Sequence, residues 1–172
     1  IDLLLSKADH ILIKSSPMID ISMALNQLRN VISITVLSVR NECKEVLFLC
    51  SAAKTAEYAP CRCVNIRTNG GMDNLTFSRE TENTLTIPYT ASIGNYIYDP
   101  NVSLLKAGAF KTVAQIYNVA KLHRNTHLYT SSEIIKNFPG RVFRVIKELR
   151  VSAKDIAGEL PGGKAHIIVR NY

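Results

Sequence analysis

The stretch from His10 to Val39 constrains the fold most. His10-Ile11-Leu12-Ile13-Lys14 is a short apolar run suited to a buried strand. Ser15-Ser16-Pro17 is a loop. Asp20 or Ser22 can cap a helix running to about Arg29, with Ile21, Leu25 and Leu28 on one face. Ile32 to Val39 is β-branched or apolar at nearly every alternate position, as a strand requires. Strand, helix and strand with short links predict the βαβ unit of a parallel sheet. One such unit cannot cover both faces of a parallel sheet, so its remaining strands are expected upstream of residue 1. The first residue is Ile, and Ile167-Ile168-Val169-Arg170-Asn171-Tyr172 reads as a strand with no element after it. Both features suggest a stretch of a longer protein, its second domain cut short at the C-terminus.

The rest of the chain reads as a series of short elements. Residues 1–8 look like the end of a helix. Asn41 can cap a short helix from Glu42 to about Cys50. After a polar link, Cys61 to Thr68 reads as a strand, and Asn69-Gly70-Gly71 is a turn with positive-φ residues. Leu75 to Arg79 and Thr84 to Tyr89 are short β candidates. Asp99-Pro100 is a strong helix start, with Asp at the N-cap and Pro in the first turn. That helix is expected to run to about Tyr117. Leu128-Tyr129-Thr130 and Arg141 to Leu149 read as strands. Ser152 caps a helix to about Leu160, Gly162-Gly163 ends it, and Ala165 to Arg170 is a strand. The expected division is a first domain over 1–85 and a small α+β domain over 86–172.

Composition excludes some classes. Hydrophobic residues make up 47% of the 172, enough for a core. No apolar run approaches the ~18 residues that span a bilayer, so no membrane partner is expected. Four cysteines at 43, 50, 61 and 63 do not form a secreted disulfide framework, and a reducing cytoplasm fits better. Cys61-x-Cys63 lacks the usual zinc-hook spacing, so no metal is expected. The net charge is +7, and residues 121–172 carry most of it, with ten Lys/Arg against four Asp/Glu. A basic excess at one end suggests a polyanion partner there, against the plainer reading of a solvated face.

Several of these stretches resemble one family. Residues 10–25 are similar to a late strand of the class I S-adenosylmethionine-dependent methyltransferase fold, with its loop and next helix. Residues 36–48 resemble the following strand and turn. Residues 96–109, with Thr126 to Ser131 and Phe138 to Phe143, resemble the THUMP-like domain that follows such a catalytic domain in a bacterial family. The resemblance implies a partial, Rossmann-like α/β methyltransferase domain with a parallel sheet, then a small α+β THUMP-like domain that binds substrate. It also implies S-adenosylmethionine as cofactor of the intact parent. The family's Gly-rich turn after its first strand, the acidic end of its second strand and its Asp-Pro-Ala-Arg-Arg-like segment have no match here. Asn69-Gly70-Gly71-Met72 follows the wrong strand and lacks the spacing. This stretch is therefore expected neither to hold the cofactor well nor to catalyse methyl transfer by itself.

Candidate site residues fall into two groups. Ligands of open α/β sheets bind at the carboxyl ends of strands, which singles out Lys14, Ser15, Ser16, Pro17 and Asp20. Asn41 and Glu42 follow at the next strand end; helix capping is the competing role for Asp20, Asn41 and Glu42. In the second half, Lys106, Lys121, His123, Arg124, His127, Tyr129, Arg141 and Arg144 combine charge with flat rings. That mix suits RNA, whose phosphates take Lys and Arg and whose unstacked bases stack on Tyr or His. No nucleophile triad and no P-loop is present. Three readings stay open: a methyltransferase acting on RNA, a non-catalytic RNA-binding or interaction module, and a second domain that only braces the catalytic fold.

Overall fold

The computed structural model describes residues 1–53 and 58–149, and beyond them 152, 156, 158–160, 162 and 164–167. One helical turn, α1 (Asp2–Leu5), leads into strand β1 (His10–Ser15). Asp20 then caps helix α2 (Ile21–Gln27), its Oδ1 accepting the Met23 N–H at 2.9 Å. Ile21 and Ala24 form the buried face of α2. Strand β2 (Val31–Val39) follows, as its β-branched run predicts.

The next element departs from expectation. In place of a helix capped by Asn41, Glu42–Ser51 is strand β3. Arg40 and Asn41 have φ of 53° and 61°, and two consecutive positive φ values build a tight hairpin turn. Val46, Phe48 and Cys50 are fully buried at alternate positions, a period of two that overrides the helix-start signal. β3 inserts between β1 and β2 and runs antiparallel to both, with Phe48 opposite Ile13 on one side and Ile34 on the other. β1 and β2 do run parallel to each other, but not as neighbours. β1 lies at the end of the sheet, and Leu12 in its centre is 62% exposed. It is an edge strand rather than the buried one expected.

Strand β4 (Pro60–Ile66) pairs parallel with β2 and antiparallel with β5 (Met72–Ser78). Gly70, at φ 81°, makes the intervening turn. The sheet order is β1-β3-β2-β4-β5, so the sheet is mixed and not parallel. After it comes helix α3 (Arg79–Thr84), which Ser78 caps and Glu80 and Glu82 favour in the first turn. The β candidate at Thr84 to Tyr89 reduces to one bridge, Tyr89 with Lys121.

A second sheet begins with β6 (Tyr96–Pro100), which contains both Asp99 and Pro100. The helix start moves to Asn101, whose Oδ1 accepts the Ser103 and Leu104 N–H groups. Asp99 is thus not the cap. The long helix expected over 100–117 is two helices, α4 (Val102–Ala107) and α5 (Phe110–Tyr117). Gly108 breaks them apart at φ 80°, the left-handed cap that glycine supplies without strain. β7 (Ala120–Lys121), β8 (Tyr129–Ser131) and β9 (Gly140–Arg144) complete the sheet, in the antiparallel order β7-β8-β6-β9. β9 is exposed along its length and stops at Arg144, short of Leu149. Most of the expected helix 152–160 and strand 165–170 lies outside the described residues; residues 164–167 carry no regular structure.

One core runs through both halves. α4 packs across β2, β3 and β4, burying Leu104 and Ala107 in the same cluster as Val36, Phe48, Cys61 and Cys63. Tyr98, Val113, Tyr129 and Phe138 extend that cluster to the second sheet.

Candidate functional site

The carboxyl ends of β1, β2 and β4 share one edge of the first sheet, because the three strands run in the same direction. The 16–20 loop and the Arg40-Asn41 turn lie at that edge. Lys14 forms an exposed ion pair with Glu45 on β3, at 2.7 Å. Ser15 and Asp20 line a groove of about 290 Å³ with Ile13, Ile19 and Met23. Ser16 Oγ accepts the Met18 N–H, which folds the loop that contains Pro17. Asp20 keeps its capping role on α2.

Asn41 is a tie between segments. Its Oδ1 accepts the Val102 N–H at 2.8 Å, satisfying the start of α4, and its own N–H donates to Asn65 Oδ1 at 3.1 Å. Glu42 pairs with Lys44 beside it. Lys106, assigned from sequence to the basic group, is brought here instead: its Nζ donates to the Ile19 carbonyl at 2.7 Å. The structure thus gathers Lys14 to Asp20, Asn41, Glu42 and Lys106 around one end of the fold.

Sequence reasoning missed two residue sets, Arg79 at the opposite end of the sheet, where Ser78 pairs with Pro60 at the start of β4, and the Asn65 set at this end. Arg79 donates to the Ala107 carbonyl at 2.8 Å and to Ser22 Oγ at 2.7 Å, joining the end of α4 to α2. Buried Asn65 accepts from Ser38 Oγ and donates to Asp73 Oδ2. The signal for the second set was available: Ser38 and Asn65 are polar residues inside otherwise apolar strands, and a buried polar group needs a partner.

The remaining basic candidates lie around the second sheet. Lys121 is fully buried, and its Nζ donates to the His123 and Arg124 carbonyls at 2.8 and 2.7 Å. Burial holds its ammonium pKa down at about 8, with the Glu82 carboxylate partly offsetting the effect. Tyr129 is also fully buried, its hydroxyl donating to the Phe110 carbonyl, and burial pushes that hydroxyl's pKa up. His127 stacks on Phe110, ring centroids 3.7 Å apart. Tyr129 therefore has no face to offer a base, and one face of His127 is taken. This corrects the stacking role assigned to Tyr129. Arg141 is engaged with Asp99, which is 1% exposed. His123, Arg124 and Arg144 are exposed.

Cys61 and Cys63 sit side by side, buried on one face of β4, and all four cysteines are free thiols. Hydrogen bonding to Cys61 and burial both push the Cys63 thiol up. Among the described residues, no group of three or more His, Cys, Asp or Glu is placed to hold a metal ion. No helix among them is long and apolar enough to cross a membrane.

With that geometry in place, likeness to known proteins defines the class. A family model described as a ferredoxin-like domain matches residues 96–139, from β6 to just before β9. A crystal structure from Porphyromonas gingivalis W83, provisionally described as a methyltransferase, is 38% identical with a TM-score of 0.82. The likeness covers 90% of this chain and 39% of that chain, so the chain spans about two-fifths of that protein's length. No curated protein matches. The chain is of methyltransferase-like kind, and part of its second half is ferredoxin-like.

Proposed function

We propose that this chain is the substrate-handling part of a class I S-adenosylmethionine-dependent methyltransferase that acts on RNA. The observation that carries the proposal is the likeness, over 90% of the chain, to the Porphyromonas gingivalis protein. Two features support it. The parallel pair β1 and β2, connected through α2, resembles trailing strands of a class I methyltransferase sheet. β1 has an unpaired outer edge among the described residues, where further strands of a longer protein can add. The RNA part is supported by the basic excess of residues 121–172 and by exposed Arg124 and Arg144.

The cofactor does not fit the residues of this chain. Its glycine-rich turn at 69–71 is a hairpin: the Arg67 N–H donates to the Gly71 carbonyl, and the Gly70 N–H donates to the Arg67 carbonyl. Neither group is turned to a ligand, so no chemical step is assigned to these residues. Their proposed work is positional, holding the substrate near reacting atoms supplied elsewhere in the longer protein. The test is methyl transfer by the full-length protein from labelled S-adenosylmethionine, offered RNA, protein and small molecules in parallel. Label in RNA is expected. Label in protein alone overturns the RNA substrate, and absence of cofactor binding overturns the methyltransferase.

A further inference from the structure

A cleft of about 340 Å³ opens beside α3, the α4–α5 corner and the 121–124 segment. That volume lies in the range of small-ligand sites. Four of the five charged side chains lining it are cationic: Arg79, Lys111, Lys121 and Arg124. The fifth, Glu82, is committed elsewhere. Its two oxygens accept the Lys111 and Thr112 N–H groups at 2.6 and 2.8 Å, at the start of α5.

Lys121 makes the cleft unusual. A buried ammonium is ordinarily matched by a counter-charge. Here its hydrogen bonds go to two backbone carbonyls, and no carboxylate lies within ion-pair distance among the described residues. Arg124 extends into solvent at the cleft with no carboxylate partner among the described residues. At the rim stands Tyr89, half exposed, with the Lys121 Nζ 6.0 Å from its ring centroid. Excess positive charge, a buried cation that no carboxylate ion-pairs among the described residues and an accessible ring together match one ligand chemistry, a phosphate attached to a flat base.

We infer that this cleft binds a nucleotide unit, its phosphate drawn to Arg124, Lys111 and Lys121 and its base against Tyr89. The inference rests on the RNA reading only for the source of that nucleotide, a single strand rather than a free mononucleotide. Guanidinium and ammonium donors make the charge-assisted bonds that phosphate oxygens accept, and a tyrosine ring takes any base by stacking.

The test titrates the full chain with inorganic phosphate, with AMP and with a short single-stranded RNA. AMP binding should weaken about tenfold in Arg124→Ala, the loss expected for one hydrogen bond to a charged group. Lys111→Gln should act in the same direction. Tyr89→Leu should weaken AMP but leave phosphate unchanged. Lys7→Ala, at an exposed cation ahead of β1 and outside the cleft, should change AMP binding little. Arg124 is exposed, so its substitution should not disturb folding, whereas Lys121→Met can. Absence of AMP binding, or AMP binding indifferent to both Arg124→Ala and Lys111→Gln, overturns the inference. RNA bound equally by wild type and Arg124→Ala overturns it too, while leaving the RNA reading intact. AMP binding that is lost in Arg124→Ala, with no RNA binding, upholds the cleft and removes the RNA substrate.

Discussion

Lys121 shows what a single residue can carry in this fold. Its pKa in the folded chain is about 8, against about 10.4 when unfolded. Between those values the unfolded chain binds more protons, so the unfolding free energy rises with pH across the window. Below about pH 8 the penalty of the buried charge is fully present, on the order of 3 kcal/mol. Urea denaturation of wild type and Lys121→Met at about pH 7 and about pH 10 checks this. The wild type should gain stability relative to the variant on going to the higher pH; equal pH dependence would refute the depressed pKa. Arg141 is a second case. It covers the charge of Asp99, a carboxylate that is 1% exposed. Arg141→Ala is expected to destabilise by roughly 2–3 kcal/mol, and Arg144→Ala, on the same exposed strand, by less than about 0.5 kcal/mol. Denaturant midpoints decide it. At this scale, which residues bear charge was legible in the sequence, but their exposure was not. Lys121 and Tyr129 read as surface contacts because two- and three-residue strands carry no periodicity from which to infer a buried face.

Among the elements, α5 depends on a residue outside it. Its own N-cap, Ala109, offers no side-chain acceptor, and Glu82 from α3 supplies both oxygens instead. Glu82→Ala should cost about 2 kcal/mol or more, since it leaves two helix N–H groups unsatisfied in a buried place. Glu82→Gln keeps one acceptor and should cost less. Circular dichroism with chemical denaturation ranks the three proteins. Caps that lie next to their helices were readable: Asp20 holds α2 as its position before an apolar stripe implies. A cap that comes from another helix leaves no local trace. The same limit explains β3. Asn41-Glu42 matches a helix start locally, yet the alternating Val46, Phe48 and Cys50 and the paired strands on both sides decide the outcome. Asp99-Pro100 failed in the opposite sense, because Asn101 two residues on is an equally good cap and leaves Asp99 free to pair with Arg141.

For the whole molecule, the edge at β1 sets behaviour in solution. A strand edge unpaired among the described residues, with an exposed leucine at its centre, is a template for association. The chain by itself is expected to self-associate with rising concentration, and Leu12→Lys should suppress this without altering the far-ultraviolet circular dichroism spectrum. Sedimentation velocity would show it; a wild type that stays monomeric at high concentration sinks the idea. The sheet's connection through α2 and the basic charge of the last third were legible from the sequence, but the gathering of Lys106 and Asn41 at the strand ends, and of Arg79 at the far end of α4, was not. It depends on α4 crossing the first sheet, a contact between segments about sixty residues apart.

That crossing has a mechanical consequence. Lys106 holds the Ile19 carbonyl, Asn41 holds the front of α4, and Arg79 holds its rear against α2. Fastened at three points, the helix behaves as a rivet rather than a hinge pin. A guest gripped by the second sheet would then meet the strand ends at a span fixed when the chain folds. On the proposed reading, reach from cleft to strand ends would then act as a ruler.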